Sequence, residues 1–131
     1  MEERYLSKEK TDILSLVYRP QLLALERVVE EMGYPSCIYS LFNPAEGKYC
    51  ILMNGVVWSV CSFERGYRHG EQLFDTLQDT CISLVLRMSR SPKEGEIYAE
   101  KYLSYVREIS TKEAPAECVQ RLLLDTRTDV V

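Results

Sequence analysis

The sequence predicts an α+β fold in which helices cover an antiparallel sheet. An Asn-Gly pair at positions 54 and 55 separates two runs rich in β-branched and aromatic residues, a pattern typical of a β-hairpin. On both sides of these runs, apolar residues recur every three or four positions, the spacing of an amphipathic helix. With 131 residues, of which 46% are hydrophobic, the chain has the length and composition of one domain that folds without disulfides or metals.

The sequence of the N-terminal part predicts a frayed start followed by two helical segments. Residues 1–7 are charged and expected to be frayed, and a short helical turn follows before Arg19-Pro20 interrupts it. Pro20 suits the first turn of the next helix, where its missing N–H is not needed. Gly33 is expected to end this helix. The predicted apolar face contains Leu22, Leu25, Val29 and Met32.

Three strands are predicted next, joined as an antiparallel meander. Pro44 and Gly47 favour a turn after the first strand, and Asn54-Gly55 favours the hairpin between the second and the third. In the third strand, the side that contains Trp58 is expected to face the core. The predicted strands are residues 36–42, 48–53 and 56–63.

From Gly70 the apolar spacing becomes helical and predicts a long central helix. Its apolar stripe is Leu73, Leu77, Cys81, Leu84, Val85 and Met88. Its opposite face is predicted to contain Gln72, Asp75, Gln78, Asp79 and Ser83.

A second C-terminal helix is predicted to begin at Ser91-Pro92-Lys93-Glu94, which has the pattern of a capping box. Tyr98, Tyr102 and Tyr105 share one face of this helix with Ile109. Tyrosines at this spacing favour a core position, with a partly exposed interaction surface as the alternative. Residues 118–123 could form a short final helix, and residues 125–131 are expected to be a loose tail.

Composition argues against several classes of protein. The chain has 20 acidic and 16 basic residues, a net charge of −4 that disfavours a nucleic-acid partner. No apolar run approaches the ~18 residues of a membrane span, and the N-terminus does not resemble a signal peptide. We therefore expect a cytoplasmic protein with no membrane contact. The cysteines, which form no C-x-x-C motif and are expected to be reduced, are Cys37, Cys50, Cys61, Cys81 and Cys118.

No pattern of catalytic residues stands out. His69 is the only histidine, and a nucleophilic Cys–His pair would require contact with a thiol such as Cys61 or Cys81. Phosphate-binding loops and the common hydrolase motifs are absent from the sequence. We expect no catalytic residue, no metal and no cofactor, and therefore no enzymatic activity.

The segment from Glu64 to His69 is the candidate binding segment. One interpretation is a solvated strand end, with Gly66 turning the chain. The alternative is a binding loop held rigidly between the best-defined strand and the longest helix.

The order of a strand, Asn-Gly, a Trp-containing strand, Glu-Arg-Gly and an amphipathic helix resembles small immunity proteins of bacterial polymorphic toxin systems. The resemblance covers residues 36–90 and depends on Trp58, Val60, Glu64, Arg65, Gly66 and the helix from Leu73 to Met88. Cys61-Ser62-Phe63 departs from the aromatic residues that these families place before the Glu. The N-terminal extension and the tyrosine-containing helix lie outside it.

The resemblance implies a cytoplasmic protein that binds and neutralises one cognate toxin domain by direct contact, without chemistry of its own. Buried aromatic or Arg anchors would then provide affinity, and acidic residues would attract a basic toxin face. A secretion chaperone or adaptor, or a small ligand-binding domain, is the alternative. The residues expected in or beside the toxin interface are Glu64, Arg65, Tyr67, Arg68, Glu71 and Asp75.

Overall fold

The helices and strands follow the predicted order, with one additional strand. The structure, a computed structural model, describes residues 6–113, so the predicted helix at 118–123 and tail at 125–131 lie outside the described residues. The elements are α1 (Lys8–Val17), α2 (Arg19–Glu31), a short 3-10 helix (Ser36–Ile38), β1 (Tyr39–Leu41), β2 (Lys48–Asn54), β3 (Val57–Glu64), β4 (Tyr67–Phe74), α3 (Leu77–Met88) and α4 (Pro92–Glu113). The predicted α+β class is confirmed.

The N-terminal helix is better anchored than predicted. The Leu6 N–H donates to Asn43 Oδ1 at 2.7 Å, and the Ser7 hydroxyl caps α1 by accepting from the Lys10 N–H at 3.2 Å. The described residues of the predicted frayed segment therefore have fixed partners.

The sheet is mixed, because β1 runs parallel to β2. Strand order is β1-β2-β3-β4, and β2, β3 and β4 form an antiparallel meander. The prediction of an antiparallel first strand is wrong. Since β1 has only three residues, the loop at 42–47 is long enough to return the chain to the same end of the sheet. Phe42 begins this reversal with a φ of 72°.

The largest departure from the prediction is β4. Residues 67–74 pair with β3 as a strand, and α3 begins only at Leu77, with Thr76 as its N-cap. The predicted helix start at Gly70 is therefore wrong, and Leu73 leaves the helical stripe for a strand position that is 61% exposed. β4 forms because its backbone groups gain hydrogen bonds along the open edge of β3, which outweighs the local helical spacing.

The main core lies between the sheet and the helices. Trp58 is 3% exposed on the helix-facing side of β3. This confirms the prediction that the side of the strand that contains Trp58 faces the core. The remaining stripe of α3 is buried as predicted: Leu77, Cys81, Leu84, Val85 and Met88. Ser83, predicted to face solvent, is also buried, and its hydroxyl donates to Gln72 Oε1 of β4 at 3.0 Å.

The tyrosine face of α4 combines the two interpretations. Glu94 N–H donates to Ser91 Oγ at 3.1 Å, which confirms the predicted cap. Tyr102 is completely buried in the core. Tyr98 and Tyr105 are half-buried against α2, where the Tyr105 hydroxyl donates to Glu31 Oε1 at 2.6 Å.

Within the described part of the chain, none of the helices has the length and apolar character that crossing a membrane requires.

Replacing Gly33 with alanine is expected to lower the free energy of unfolding by about 1–2 kcal/mol. Gly33 ends α2 with a φ of +89°, donating its N–H to Glu30 O while the Tyr34 N–H donates to Val29 O. An added Cβ would meet nothing within 4 Å, so the cost is backbone strain alone. Urea denaturation measures it. Gly33→Asn should lose less than Gly33→Ala, because asparagine tolerates this conformation better, and equal stability of all three proteins would contradict this reasoning.

Candidate protein-binding site

The turn between β3 and β4 is a tight two-residue connection. Glu64 pairs with Tyr67, so the chain reverses within Arg65 and Gly66. Both residues have positive φ, 53° and 78°, as in the type I′ turns whose twist matches that of the flanking strands. Arginine in this region costs about 1–2 kcal/mol, so other contacts must hold the turn.

Glu46 supplies those contacts. Its carboxylate accepts the backbone N–H groups of both turn residues, Arg65 and, at 3.3 Å, Gly66. The neighbouring Gly47 N–H donates to Phe63 O at 2.8 Å, which fixes the β1–β2 loop beside the end of β3. The sequence analysis missed Glu46, because it lies 19 residues from Arg65 and only the register of β2 with β3 brings the two together.

This turn, whose backbone Glu46 holds, presents its side chains to solvent. Glu64 and Arg65 are exposed, and Tyr67 is 71% exposed. The predicted Glu-Arg segment is therefore not a loop between the third strand and the long helix. It is the solvent-exposed tip of a hairpin, and Glu46 holds its backbone.

Arg68 and Glu71 occupy a different environment, on the sheet face away from the helices. The guanidinium of Arg68 donates to Glu71 Oε2 at 2.6 Å and to Asn54 Oδ1 at 3.2 Å. The side chains of Arg68 and Glu71 are 23% and 32% exposed. Arg68 therefore bonds to Glu71 within β4 and to Asn54 at the end of β2, so the two charged side chains are held against the surface of the sheet.

Asp75 is far from the turn. It follows β4 at the end opposite to Tyr67, and a strand of eight residues separates the two ends by ~25 Å. Asp75 borders a separate depression that Tyr18, Trp58 and Thr76 help to line. The six predicted residues therefore do not form one patch: Glu64, Arg65 and Tyr67 lie together, Arg68 and Glu71 lie on the adjoining face, and Asp75 lies apart. The predicted position of Asp75 on the central helix is wrong, since α3 begins only at Leu77.

The thiols nearest to His69 in sequence do not form a nucleophilic pair with it. His69 pairs with Ser62 across the sheet and its Nε2 contacts Glu64 O at 3.2 Å, whereas Cys61 faces the opposite side of β3. Cys81 lies in the main core, where burial raises the pKa of its thiol to about 12 and keeps it protonated. Among residues 6–113, His, Cys, Asp and Glu side chains form no group of three or more suited to a metal ion.

A shallow groove of about 630 Å³ lies between β4 and α3. Of its two charged lining residues, Asp79 and Arg87, Arg87 donates to Gly70 O and, at 3.1 Å, to Gln72 Oε1. The same Gln72 oxygen accepts from Ser83. These bonds engage three of the four polar side chains that line the groove, so the groove offers few convergent polar groups to a small ligand.

Replacing Glu46 with glutamine is expected to loosen the turn and lower the free energy of unfolding by about 1–2 kcal/mol. A neutral amide is a weaker acceptor for the two backbone N–H groups than a carboxylate, and its NH₂ group would face a donor. Amide hydrogen exchange of residues 64–67 measures the opening. Glu96→Gln on the exposed face of α4 is the control and should change neither property. Unaltered exchange in Glu46→Gln would show that the brace is not needed.

The chain was compared with protein-family models, with curated proteins and with solved structures, and none of these comparisons found a match. No relative or structural neighbour therefore indicates a function for this fold.

Proposed function

We propose that this protein is a cytoplasmic immunity protein that binds a cognate bacterial toxin domain and neutralises it by direct contact. The observation that carries this proposal is the braced turn between β3 and β4, defined here as Glu64–Tyr67. Its backbone is held by Glu46 while Arg65 and Tyr67 project into solvent. The turn coincides with the Glu-Arg-Gly segment on which the resemblance to immunity proteins depends.

The geometry of the braced turn favours tight binding. Arginine and tyrosine are enriched among the few interface residues that dominate affinity. A surface that is already rigid in the free protein loses little conformational entropy on association, so more of the contact energy appears as affinity. Glu46 supplies this rigidity without occupying the side chain of Arg65.

The negative charge of this protein favours a partner with a basic surface. The chain carries a net charge of −4, and Glu64 places an exposed carboxylate within the braced turn. Opposite charges on a toxin domain would accelerate association and orient the encounter. Arg65 would be a basic residue within this acidic surface. We place it as the central anchor that pairs with an acidic group of the toxin.

Co-expression with the products of neighbouring genes tests the proposal. One neighbour should stop growth when expressed alone and should become harmless when this protein is present. The proposal also requires that the two proteins purify together in a fixed stoichiometry. A bound neighbour that is harmless on its own would instead indicate a chaperone or adaptor, and would refute the immunity function.

A further inference from the structure

Cys50 and Cys61 face each other across the β2–β3 hairpin. They are direct partners in the antiparallel register, and both are completely buried on the sheet face away from the helices, together with Leu52 and Phe63. Opposed residues of an antiparallel pair have Cα atoms about 4.5–5.5 Å apart, within the range of about 4.4–6.8 Å that disulfides span. The spacing of the two strands is therefore compatible with a bond between the two sulfurs.

The electrostatic surroundings favour a thiolate on one member of the pair. The hydrogen bond with Cys61 lowers the pKa of Cys50, and the positive charges of Arg68 and Lys48 act in the same direction against the opposing effect of burial. The same hydrogen bond raises the pKa of Cys61, with burial and the negative charges of Cys50 and Glu71 adding to it. Cys50 is thus the nucleophile of the pair, and Cys61 keeps its proton.

The surroundings of this pair differ from those of Cys81. The charged groups beside the pair include Arg68 and Glu71, whose side chains remain 23% and 32% exposed. Local opening of these polar side chains would admit a small reagent while the sheet stays intact. Cys81 lies among helix and sheet residues of the main core, so reaching it requires a larger opening.

We propose that Cys50 and Cys61 form a dithiol site that a low-molecular-weight disulfide oxidises to a cross-strand disulfide. The Cys50 thiolate attacks one sulfur of the reagent, whose S–S bond breaks and releases one thiolate. The sulfur of Cys61 then gives up its proton and attacks the sulfur of Cys50, forming the Cys50–Cys61 bond and releasing the second thiolate. The protein loses two electrons and two protons, and the reagent gains both to become two thiols.

Oxidised glutathione is the probe, applied to the full chain under native conditions and followed by alkylation of free thiols and peptide mapping. We expect a peptide pair linked through Cys50 and Cys61, formed at least tenfold faster than Cys81 is modified. The rate of Cys50 loss should reach half its plateau at a pH below about 8.5, the value of an ordinary free thiol. In Cys61→Ser, Cys50 should stop at the mixed disulfide with glutathione.

Two results would overturn the proposal. One is that Cys50 and Cys61 stay reduced or accumulate only mixed disulfides while the exposed Cys37 reacts. The other is that they react at the same rate as Cys81, which would show that only global unfolding exposes them. Both results come from the wild-type chain, so they do not depend on the folding of the Cys61→Ser variant.

Discussion

Replacing Trp58 with alanine is expected to lower the free energy of unfolding by about 3–5 kcal/mol. Trp58 is 3% exposed near the start of the interior strand β3, and its ring lies edge-on to Tyr18 at 5.2 Å between centroids and tilted against Phe42 at 6.0 Å. Removing the indole leaves a cavity between β3 and the helices and deletes both aromatic contacts. Since domains of this size have about 5–15 kcal/mol of stability, the loss is a large fraction of the total.

Urea denaturation followed by far-UV circular dichroism is the suitable measurement, because Trp58 is the only tryptophan and its loss removes the fluorescence signal. Val56→Ala is the control. Val56 lies in the β2–β3 turn with 90% of its surface exposed, so its truncation should change stability by no more than about 0.5 kcal/mol. A loss of less than about 1 kcal/mol for Trp58→Ala would contradict the central place of this side chain in the core.

Arg65→Glu is expected to weaken binding to the proposed toxin partner by about 2 kcal/mol or more, roughly a thirtyfold rise in Kd. The substitution reverses the charge of the proposed anchor while leaving the backbone bonds to Glu46 in place. Tyr67→Ala should also weaken binding, because it removes an exposed ring from the same surface. The measurements are the Kd of the purified pair and the growth of cells that express both proteins.

Arg107→Glu makes the same charge change on the exposed surface of α4, away from the braced turn, and should leave Kd and protection unchanged. An Arg65→Glu protein that folds normally and neutralises its partner as well as wild type would remove the braced turn from the interface. Unfolding curves of all three variants separate a lost contact from a lost fold.

Local patterns were sufficient to predict much of the fold. The spacing of apolar residues located α2 and most of α3, Ser91 marked the start of α4, and Asn54-Gly55 marked the β2–β3 hairpin. β4 was missed because most of its residues are exposed, so it shows no clean alternation of apolar and polar side chains, and a bulge opposite Cys61 shifts its register. Only pairing with β3 makes that segment a strand.

Less of the candidate site than of the fold could be predicted from the sequence. The sequence indicates Glu64, Arg65 and Tyr67 as candidates because they follow a well-defined strand, but Glu46, which holds the turn, lies in a loop distant in sequence. Placing residues 70–75 in a helix led to the wrong position for Asp75. The Cys50–Cys61 pair, in contrast, could have been predicted, because a two-residue turn at 55–56 fixes which residues of β2 and β3 oppose each other.

Hydrogen exchange of this protein, alone and in complex with the lethal product of a neighbouring gene, tests direct neutralisation through the braced turn. We predict that amides in the peptide spanning residues 64–68 exchange more slowly in the complex, while the exposed face of α4 is unaffected. Protection confined to other surfaces would contradict the placement of the interface. Absence of a complex with any lethal neighbour would contradict the immunity function itself.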